Sequence, residues 1–412
     1  MSLPDRTKVT YRRELRRAVA NGILESAAGL FLLLIAVRWF HAGPVAKALV
    51  AGSAYAGLLL SPLSVSFVSR RGWPAARAAG ALALLGGAAF FCMAALPWLP
   101  VYVAGAFVAN ACVSTAVPLV TQIYQENYPP ERRGRLYSTT VIVRIAAVAV
   151  FSELAGHWLK HDLSKYYALL LTFGCAFLYS ARCLWGIPSN PLHQDARPAP
   201  RRAWGYLRED RLFRRTLISW MIMGFANLMM LPLRIDYLAN PRYALGLDEQ
   251  TVALIAGVVP SLVRLSASRG WGWLFDHINF FALRISINLC FAAAILTFFL
   301  SASLPGLLAG AALFGLASSG GDVAWGLWVT KFSPPERTAD YMSVHTFLTG
   351  TRGLLAPQAG FQLAQILPLP ELALCAVTMI LIASSILLPL TRTEPRYGGR
   401  PGLPHPFQGS ND

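Results

Sequence analysis

The sequence predicts an all-α polytopic membrane protein with 12 transmembrane helices in two pseudo-symmetric six-helix bundles. Three observations lead to this fold class. Hydrophobic residues make up 55% of the 412 residues and charged residues only 14%, which is too little charge to cover a soluble protein of this length. The apolar residues fall in blocks long enough to cross roughly 30 Å of hydrocarbon as helices. A short motif also recurs at an offset of 205 residues, about half the chain.

The predicted spans alternate with short polar segments, six in each half of the chain. The first six spans are 15–38, 44–68, 75–95, 98–124, 134–158 and 164–187. The second six are 213–237, 250–269, 279–301, 305–331, 339–365 and 370–391. The intervening segment is rich in proline and arginine, which is typical of a cytoplasmic linker. These boundaries predict an N-terminal half at 1–187, a linker at 188–212 and a C-terminal half at 213–412.

The basic residues are distributed unevenly between the two sides of the membrane. Of the 36 lysines and arginines, 28 fall on one side, Arg264 and Arg284 among them, and 6 on the other. Because cytoplasmic segments collect basic residues, we expect both termini in the cytoplasm of a bacterial inner-membrane protein. The net charge of +16 then reflects topology and does not indicate a nucleic-acid partner.

The repeat is the most specific pattern in the sequence. Residues 129–138 read PPERRGRLYS and residues 334–343 read PPERTADYMS. Each copy follows the fourth predicted span of its half and opens the fifth. A parallel repeat of this kind relates two halves by an axis along the membrane normal. With twelve spans, cytoplasmic termini and a basic central segment, the chain resembles the major facilitator superfamily from about residue 15 to residue 391.

The resemblance extends to a loop signature between the second and third helices of each half, roughly G-x-L-x-D-R-x-G-R-R. The second half keeps Gly272, Leu274 and Asp276, with His277 where arginine is usual. The first half keeps Arg70 and Gly72 but has no aspartate. The family's aspartate latches helix ends on the cytoplasmic side. The resemblance therefore implies a cytoplasmic gate whose candidate residues are Arg70, Gly72, Glu131, Arg132, Gly272, Asp276, Glu336 and Arg337.

Charged side chains inside a bilayer are costly, and each is a functional candidate by default. Arg144, Asp322 and Arg352 lie about ten to thirteen residues from the cytoplasmic ends of their spans, close to the midplane at about 1.5 Å per residue. Glu25 lies about seven to ten residues into the first span and completes this central group. Two interpretations remain open. Glu25 and Asp322 exchange protons while an arginine holds an anionic substrate group, or Arg144–Glu25 and Arg352–Asp322 are fixed structural bridges. Arg264 is expected to snorkel from a cytoplasmic helix end.

Uncharged residues add further candidates for a substrate site. Asn110 and Asn227 fall within the fourth and seventh spans, and the resemblance implies that these helices line a central cavity. Their alternative role is hydrogen bonding between helices. Trp325 and Trp328 lie three residues apart on one helix face. They either stack on a substrate ring or face lipid.

We expect a secondary transporter that moves a small organic solute by alternating access, coupled to protons. One alternative is multidrug-type efflux of amphipathic compounds, and another is a transporter-like receptor or lipid-handling scaffold without solute flux. No P-loop motif is present, so an enzyme or ATP-driven pump has no support. The six cysteines lie in apolar blocks without Cys-x-x-Cys spacing, so we expect neither a metal site nor a cofactor. The expected partners are a small-molecule substrate, membrane lipids and protons, with no nucleic acid, and the expected state is a monomer.

Overall fold

The computed structural model describes residues 3–191, 207–328 and 338–393. The first half contains helices α1 to α6. Helix α1 begins as Leu3–Ser26, passes through a π-helical turn at Ala27–Phe31 and ends as Leu32–Arg38. The others are α2 (Pro44–Arg71), α3 (Ala75–Ala95), α4 (Leu99–Thr115 and Val117–Asn127), α5 (Pro130–His161) and α6 (Tyr166–Trp185).

The second half contains helices α7 to α12. Helix α7 is Arg211–Ala239, and α8 consists of Glu249–Ala253, a π-helical turn at Leu254–Val258, and Val259–His277. The others are α9 (Phe280–Phe299), α10 (Leu304–Leu327), α11 (Thr338–Leu363) and α12 (Leu369–Leu387). All the predicted spans therefore correspond to observed helices, and the all-α fold class is confirmed.

Eleven helices in the described part of the chain are long and apolar enough to cross a membrane. The twelfth, α11, has 26 residues and is less apolar because it carries polar side chains such as His345 and Arg352. At 1.5 Å per residue its length is roughly 39 Å, which is sufficient for a span. Both polar side chains are buried in the protein, so α11 does not expose them to lipid.

Helix α8 is longer than the sequence predicts. The predicted span ends at residue 269, before Gly270 and Gly272, whereas the helix continues to His277. A backbone inside lipid must satisfy its hydrogen bonds within the helix, so isolated glycines do not end it. The break comes instead at Asn279, whose side chain accepts hydrogen bonds from the backbone N–H groups of Phe281 and Ala282 and caps α9.

The helix packing has a two-fold pattern. In the first half α1 packs on α5 and α6, α2 on α4, and α3 on α4 and α6. In the second half α7 packs on α11 and α12, α8 on α10, and α9 on α10 and α12. Adding six to each helix number of the first set gives the second set. The observed packing therefore agrees with the parallel repeat inferred from the Pro-Pro-Glu-Arg motif.

The contacts between the halves show the same two-fold relation. Helix α2 packs on α11, and their counterparts α8 and α5 also pack on each other. Small residues allow both pairs of helices to pack closely. A Cβ at Gly52 would lie 3.3 Å from the carbonyl oxygen of Gly353, and one at Gly156 would lie 2.5 Å from the Cβ of Ala253. Glycine at a helix crossing lets two backbones come close, as is common between transmembrane helices.

The two ends of the bundle are referred to below by their chemistry. The basic end carries Leu3, the end of α2 at Arg70 and Arg71, and the start of α7 at Arg211. The distal end carries the turns at 39–43, 162–165 and 240–248.

Candidate functional site

A cavity of about 700 Å³ lies in the part of the first bundle nearer the basic end. Helices α1, α4 and α5 supply most of its wall, with contributions from α3 and α6. The lining runs from Glu14 and Arg17, near the basic end of α1, to Arg144 in the middle of α5. Between these polar groups the wall is largely apolar, with Val113, Val117 and other residues of α4.

Four charged side chains form a continuous ion network at the centre of the molecule. Arg264 Nη1 donates to Glu25 Oε1 at 2.7 Å, and Arg264 Nε donates to Asp322 Oδ2 at 2.6 Å. Arg144 Nε lies 3.1 Å from Glu25 Oε2. Glu25 and Arg144 belong to the first half, and Arg264 and Asp322 belong to the second. The network of Arg144, Glu25, Arg264 and Asp322, called the central network below, therefore joins the two halves.

The central network is only partly shielded by protein. The side chains of Glu25 and Arg144 are 31% and 32% exposed, and that of Asp322 is 53% exposed. Arg144 also lines the cavity, so the network borders its inner end. Carboxylates in such a position are within reach of protons and of a solute that enters the cavity.

Local helix geometry positions the network. Glu25 lies just before the π-helical turn at Ala27–Phe31 in α1, and this turn contacts the π-helical turn at Leu254–Val258 in α8. π-Helical turns frequently mark functional sites in helices. Because α8 extends to His277, Arg264 lies roughly 20 Å from either end of that helix at 1.5 Å per residue.

At the distal end, polar contacts close the space between the halves. Lys47 Nζ of α2 donates to Asp236 Oδ1 of α7 at 2.6 Å, with side chains 5% and 3% exposed. Arg38 Nη2 donates to the carbonyl oxygen of Leu247 at 2.5 Å. Lys160 and Asp248 form a more exposed ion pair of 3.0 Å. The structure is therefore closed at the distal end, while the cavity lies toward the basic end.

A second polar cluster lies where the cavity approaches the basic end. Arg17 donates two hydrogen bonds of 2.7 Å to the carboxylate of Glu14. The hydroxyl of Tyr124, on α4, donates to the same carboxylate. Its oxygen also accepts a bond from Arg17 Nη2 at 3.1 Å. These three side chains satisfy one another and fix α1 against α4.

The two asparagine candidates have different environments. Asn110 Nδ2 donates to Ser53 Oγ at 2.7 Å and is buried, so it makes a bond between α4 and α2. Asn227 is half-buried on α7, and its Oδ1 is buried without a hydrogen-bond partner. Neither residue contacts the central network through a hydrogen bond.

Arg352 and Trp325 lie in a separate cluster. The predicted alternative bridge between Arg352 and Asp322 is wrong, because Asp322 pairs with Arg264, while Arg352 Nη1 donates to the carbonyl oxygen of Trp220 at 2.5 Å. The other alternative bridge, between Arg144 and Glu25, is observed. The ring centroid of Trp325 lies 5.7 Å from that of His345.

The candidate gate residues are only partly described. Arg70 and Arg132 are exposed at the basic end, and Gly72 ends α2 in a left-handed conformation with φ +60°. Gly272 lies within α8 with no atom within 4 Å of an added Cβ. The backbones of Glu131 and Asp276 belong to α5 and α8. Glu336 and Arg337 lie outside the described residues.

Two features of the site were not predicted from the sequence. Arg264 was expected to snorkel from a helix end, which is wrong because α8 continues to His277 and places the residue centrally. Arg284 was counted only as one of the basic residues of the cytoplasmic side, yet it is buried in α9. The signal that would have found Arg264 is its place near the middle of a continuous helical segment of 29 residues from Glu249 to His277. Within residues 3–191, 207–328 and 338–393, no group of three or more His, Cys, Asp or Glu residues is suited to holding a metal ion.

Solved structures of membrane transporters share this fold. A mutant form of the nucleoside transporter NupG superposes with a TM-score of 0.75 at 9% identity, over 93% of this chain and 99% of that one. The D-xylose-proton symporter gives a TM-score of 0.65 at 14% identity, over 94% and 97%. A bacterial homologue of the human lysosomal transporter Spinster, inward-facing and occupied, gives 0.66 at 13%, over 96% and 98%.

No curated protein matches the chain by sequence search. The family model of the Major Facilitator Superfamily does match it, over residues 18–357. This match covers most of the chain, and it agrees with the two-fold helix packing and the structural neighbours. The chain therefore belongs to the Major Facilitator Superfamily.

Proposed function

We propose that the protein is a secondary transporter that moves a small organic solute by alternating access, with protons as the coupling ion. The observation that carries this proposal is the central network, because it links the two halves at mid-depth beside the cavity. The named functions of the structural neighbours are consistent with it, since they include a nucleoside transporter and a sugar–proton symporter. In this proposal residues 1–187 and 213–412 are the two rocking units, and residues 188–212 connect them.

The basic end is cytoplasmic in this proposal, with both termini inside and a monomer as the working unit. The support is the excess of arginine at that end. The conformation is then inward-facing, with the outer side closed by Lys47–Asp236 and the contacts around it. Alternating access requires a second conformation in which these distal contacts separate and the cavity closes.

Protonation of the central network would couple protons to this change. A proton on Glu25 removes the charge that holds both Arg144 and Arg264, because its two oxygens face one arginine each. A proton on Asp322 removes one of the two partners of Arg264. Either event weakens a link between or within the halves, and the freed arginine becomes available to a polar solute. Charge-assisted hydrogen bonds of this kind are roughly twice as strong as neutral ones.

The test is solute uptake into liposomes that contain the purified protein and carry an imposed pH gradient. A panel of nucleosides, sugars, peptides and carboxylic acids is screened by counterflow to find a substrate. We expect the double variant Glu25→Gln/Asp322→Asn to lose pH-driven uptake and to keep counterflow, because exchange needs no net proton movement. Unchanged pH-driven uptake in this variant would contradict the proton assignment.

A matched control is Glu126→Gln. Glu126 lies on α4 near the basic end and accepts hydrogen bonds from Gln122 and the backbone N–H of Asn190. The two bonds use different carboxylate oxygens, so a glutamine keeps one of them through its single carbonyl oxygen, and the position is outside the central network. We expect pH-driven uptake close to that of the unchanged protein.

Efflux of amphipathic compounds is a second candidate, favoured by the apolar wall of the cavity. Val113, Val117 and Val120 of α4 and Phe177 of α6 all line it. Apolar pockets with few polar groups accept varied ligands by burial of apolar surface. Protection of cells against several unrelated amphipathic compounds would favour this function, and one substrate with strict stereochemical requirements would argue against it.

A further inference from the structure

Three basic side chains lie buried together in the second bundle, apart from the central network. Arg284 of α9 is 4% exposed, Arg352 of α11 is 6% exposed, and His345 of α11 is fully buried. All three contact Trp220 of α7. The guanidinium carbon of Arg284 lies 3.8 Å from the centroid of the indole, Arg352 donates to the carbonyl oxygen, and the His345 ring centroid lies 5.3 Å from that of Trp220.

Arg284, Arg352 and His345 form few of the hydrogen bonds that their nitrogen atoms could form. Both ring nitrogens of His345 and the Nε of Arg352 are buried without a hydrogen-bond partner. Arg284 Nη2 donates to the thioether sulfur of Met223 at 3.1 Å, and Arg352 Nη1 has a second contact of 3.9 Å with the sulfur of Met221. A thioether is a weak acceptor. Two guanidinium groups with ten N–H bonds in all thus have few strong acceptors.

Three other buried or half-buried cations of the described chain have carboxylate partners, whereas Arg234 is buried alone and donates only to the carbonyl oxygen of Leu231. Lys47 pairs with Asp236, Arg17 with Glu14, and Arg264 with Glu25 and Asp322. Within the described residues, no carboxylate lies within 4.0 Å of Arg284 or Arg352. Removing a charged group from water costs several kcal/mol unless a counter-charge and hydrogen bonds compensate. Arg234 is a single buried arginine without a carboxylate, whereas Arg284 and Arg352 are neighbours that repel each other. Two neighbouring guanidinium groups without a counter-ion therefore indicate that the anion comes from elsewhere.

The surroundings suit a compact anion with a flat organic part. Trp220 stacks on Trp328, with ring centroids 5.0 Å apart, and Trp325 and Trp328 both lie against His345. Gly224 of α7 leaves room for the Arg352 guanidinium, since an added Cβ would lie 2.2 Å from Nη1. The unbranched methionine side chains are adaptable and can move aside for a stronger acceptor.

We propose that Arg284, Arg352 and His345 bind an oxyanion, a carboxylate or phosphate group, of the transported solute. The planar guanidinium forks match the oxygens of either group, His345 adds a ring N–H, and the indoles cover the remainder of the molecule. This inference rests on the proposed transport function and narrows its substrate to organic anions. The cluster, called the arginine–histidine site here, is separate from the proton-binding carboxylates of the central network.

The experiment is thermal unfolding of the purified full-length protein with inorganic phosphate, benzoate or benzamide at constant ionic strength. Benzamide is the uncharged counterpart of benzoate. We expect a saturable rise in Tm with phosphate or benzoate and none with benzamide, because only a ligand that favours the folded state stabilises it. In Arg284→Gln and Arg352→Gln the apparent Kd should rise at least tenfold, in line with the loss of a hydrogen bond to a charged group.

The control variant is Arg234→Gln. Arg234 of α7 is equally buried, at 8% exposure, and its guanidinium lies 4.1 Å from the Phe314 ring centroid, away from the site. It should keep the wild-type response to the anions. Equal loss in Arg234→Gln, or no anion-dependent rise in the unchanged protein, overturns the proposal. Because the latter measurement uses no variant, a folding defect in the arginine variants does not leave the question open.

Two further measurements are needed. One distinguishes a lipid headgroup from a solute as the source of the anion, and the other tests the anion site and the transport function separately. Phosphatidylglycerol added to the detergent solution tests a lipid headgroup. Stabilisation by this lipid with none by benzoate or phosphate overturns the solute assignment. Counterflow of benzoate that is lost in Arg352→Gln supports it. Counterflow of a neutral solute without anion binding refutes the site and leaves transport standing. Anion binding without any counterflow refutes the proposed function and the assignment of the anion to a transported solute, and leaves only the anion site.

Discussion

The buried pair Lys47–Asp236 gives the sharpest test of how the distal end is held closed. Substitution Lys47→Ala removes the lysine and leaves Asp236 buried, with Asn240 Nδ2 at 3.2 Å as its remaining side-chain donor. Removing one partner of a buried ion pair typically costs about 3–5 kcal/mol. The pair joins α2 and α7 across the two halves, so this cost falls on the distally closed state. At the lower limit the ratio of closed to open states shifts by roughly a hundredfold.

Cys112 offers a reporter for this shift. It lines the cavity, whereas Cys92 and Cys375 are exposed elsewhere and are replaced in the test protein together with the remaining cysteines. In alternating access the cavity closes when the distal end opens. We therefore expect Lys47→Ala to slow alkylation of Cys112 by a water-soluble maleimide.

Two controls define the outcome. The ion pair Lys160–Asp248 also joins the halves, but its side chains are 43% and 37% exposed. Exposed pairs contribute about 0–1 kcal/mol, so Lys160→Ala should change the alkylation rate little. The double variant Lys47→Met/Asp236→Leu replaces the buried pair by apolar groups and should restore most of the wild-type rate. An unchanged rate in Lys47→Ala, or equal effects of Lys47→Ala and Lys160→Ala, would refute the reasoning.

Three further predictions concern stability and are read out by thermal unfolding in detergent. Gly57→Leu should lower Tm by the equivalent of about 1–3 kcal/mol, because an added Cβ would lie 2.2 Å from the carbonyl oxygen of Ala111; an unchanged Tm would show that α2 and α4 can move apart freely. Gly72→Ala should lower the free energy of unfolding by about 1 kcal/mol, because φ is +60° at this exposed position. A variant with a higher Tm than the unchanged protein would contradict this. The backbone N–H of Thr251 and the nearby Lys160 lower the pKa of Asp248, so its stabilising contribution is present above the unfolded pKa and is lost as pH falls through the lower folded value. We expect Asp248→Asn to reduce the fall of Tm with acidification below about pH 4, and an identical pH profile would contradict this.

The helices were predictable because lipid permits few alternatives. A long apolar block must be helical inside hydrocarbon, and the repeat and the basic segments then order the helices and relate the halves. The end of α8 was not predictable from apolar blocks alone, since residues 270–277 mix glycines with tryptophans and end in a charged residue and a histidine. The observed helix is eight residues longer at this end than the predicted span, so Arg264 lies at mid-depth and not near a helix end.

The candidate site was only partly predictable for a different reason. Depth along a helix follows from the sequence, and this identified Glu25, Arg144 and Asp322 as members of a central group. Pairing depends on rotation about each helix axis and on which helices cross. The sequence contains no direct measure of either, so the contact between Arg264 and Asp322 required the structure. The same holds for Lys47 and Asp236, which are 189 residues apart along the chain.

In the proposed transport cycle, the central network also determines how membrane voltage acts on the protein. Its two arginines and two carboxylates carry no net charge together, so the electric field across the bilayer exerts little net force on the group as a whole. One proton on Glu25 changes this, because a single elementary charge moved through the full field corresponds to about 2.3 kcal/mol per 100 mV. The unprotonated carrier would then reorient almost independently of voltage, and the protonated carrier would be driven by it.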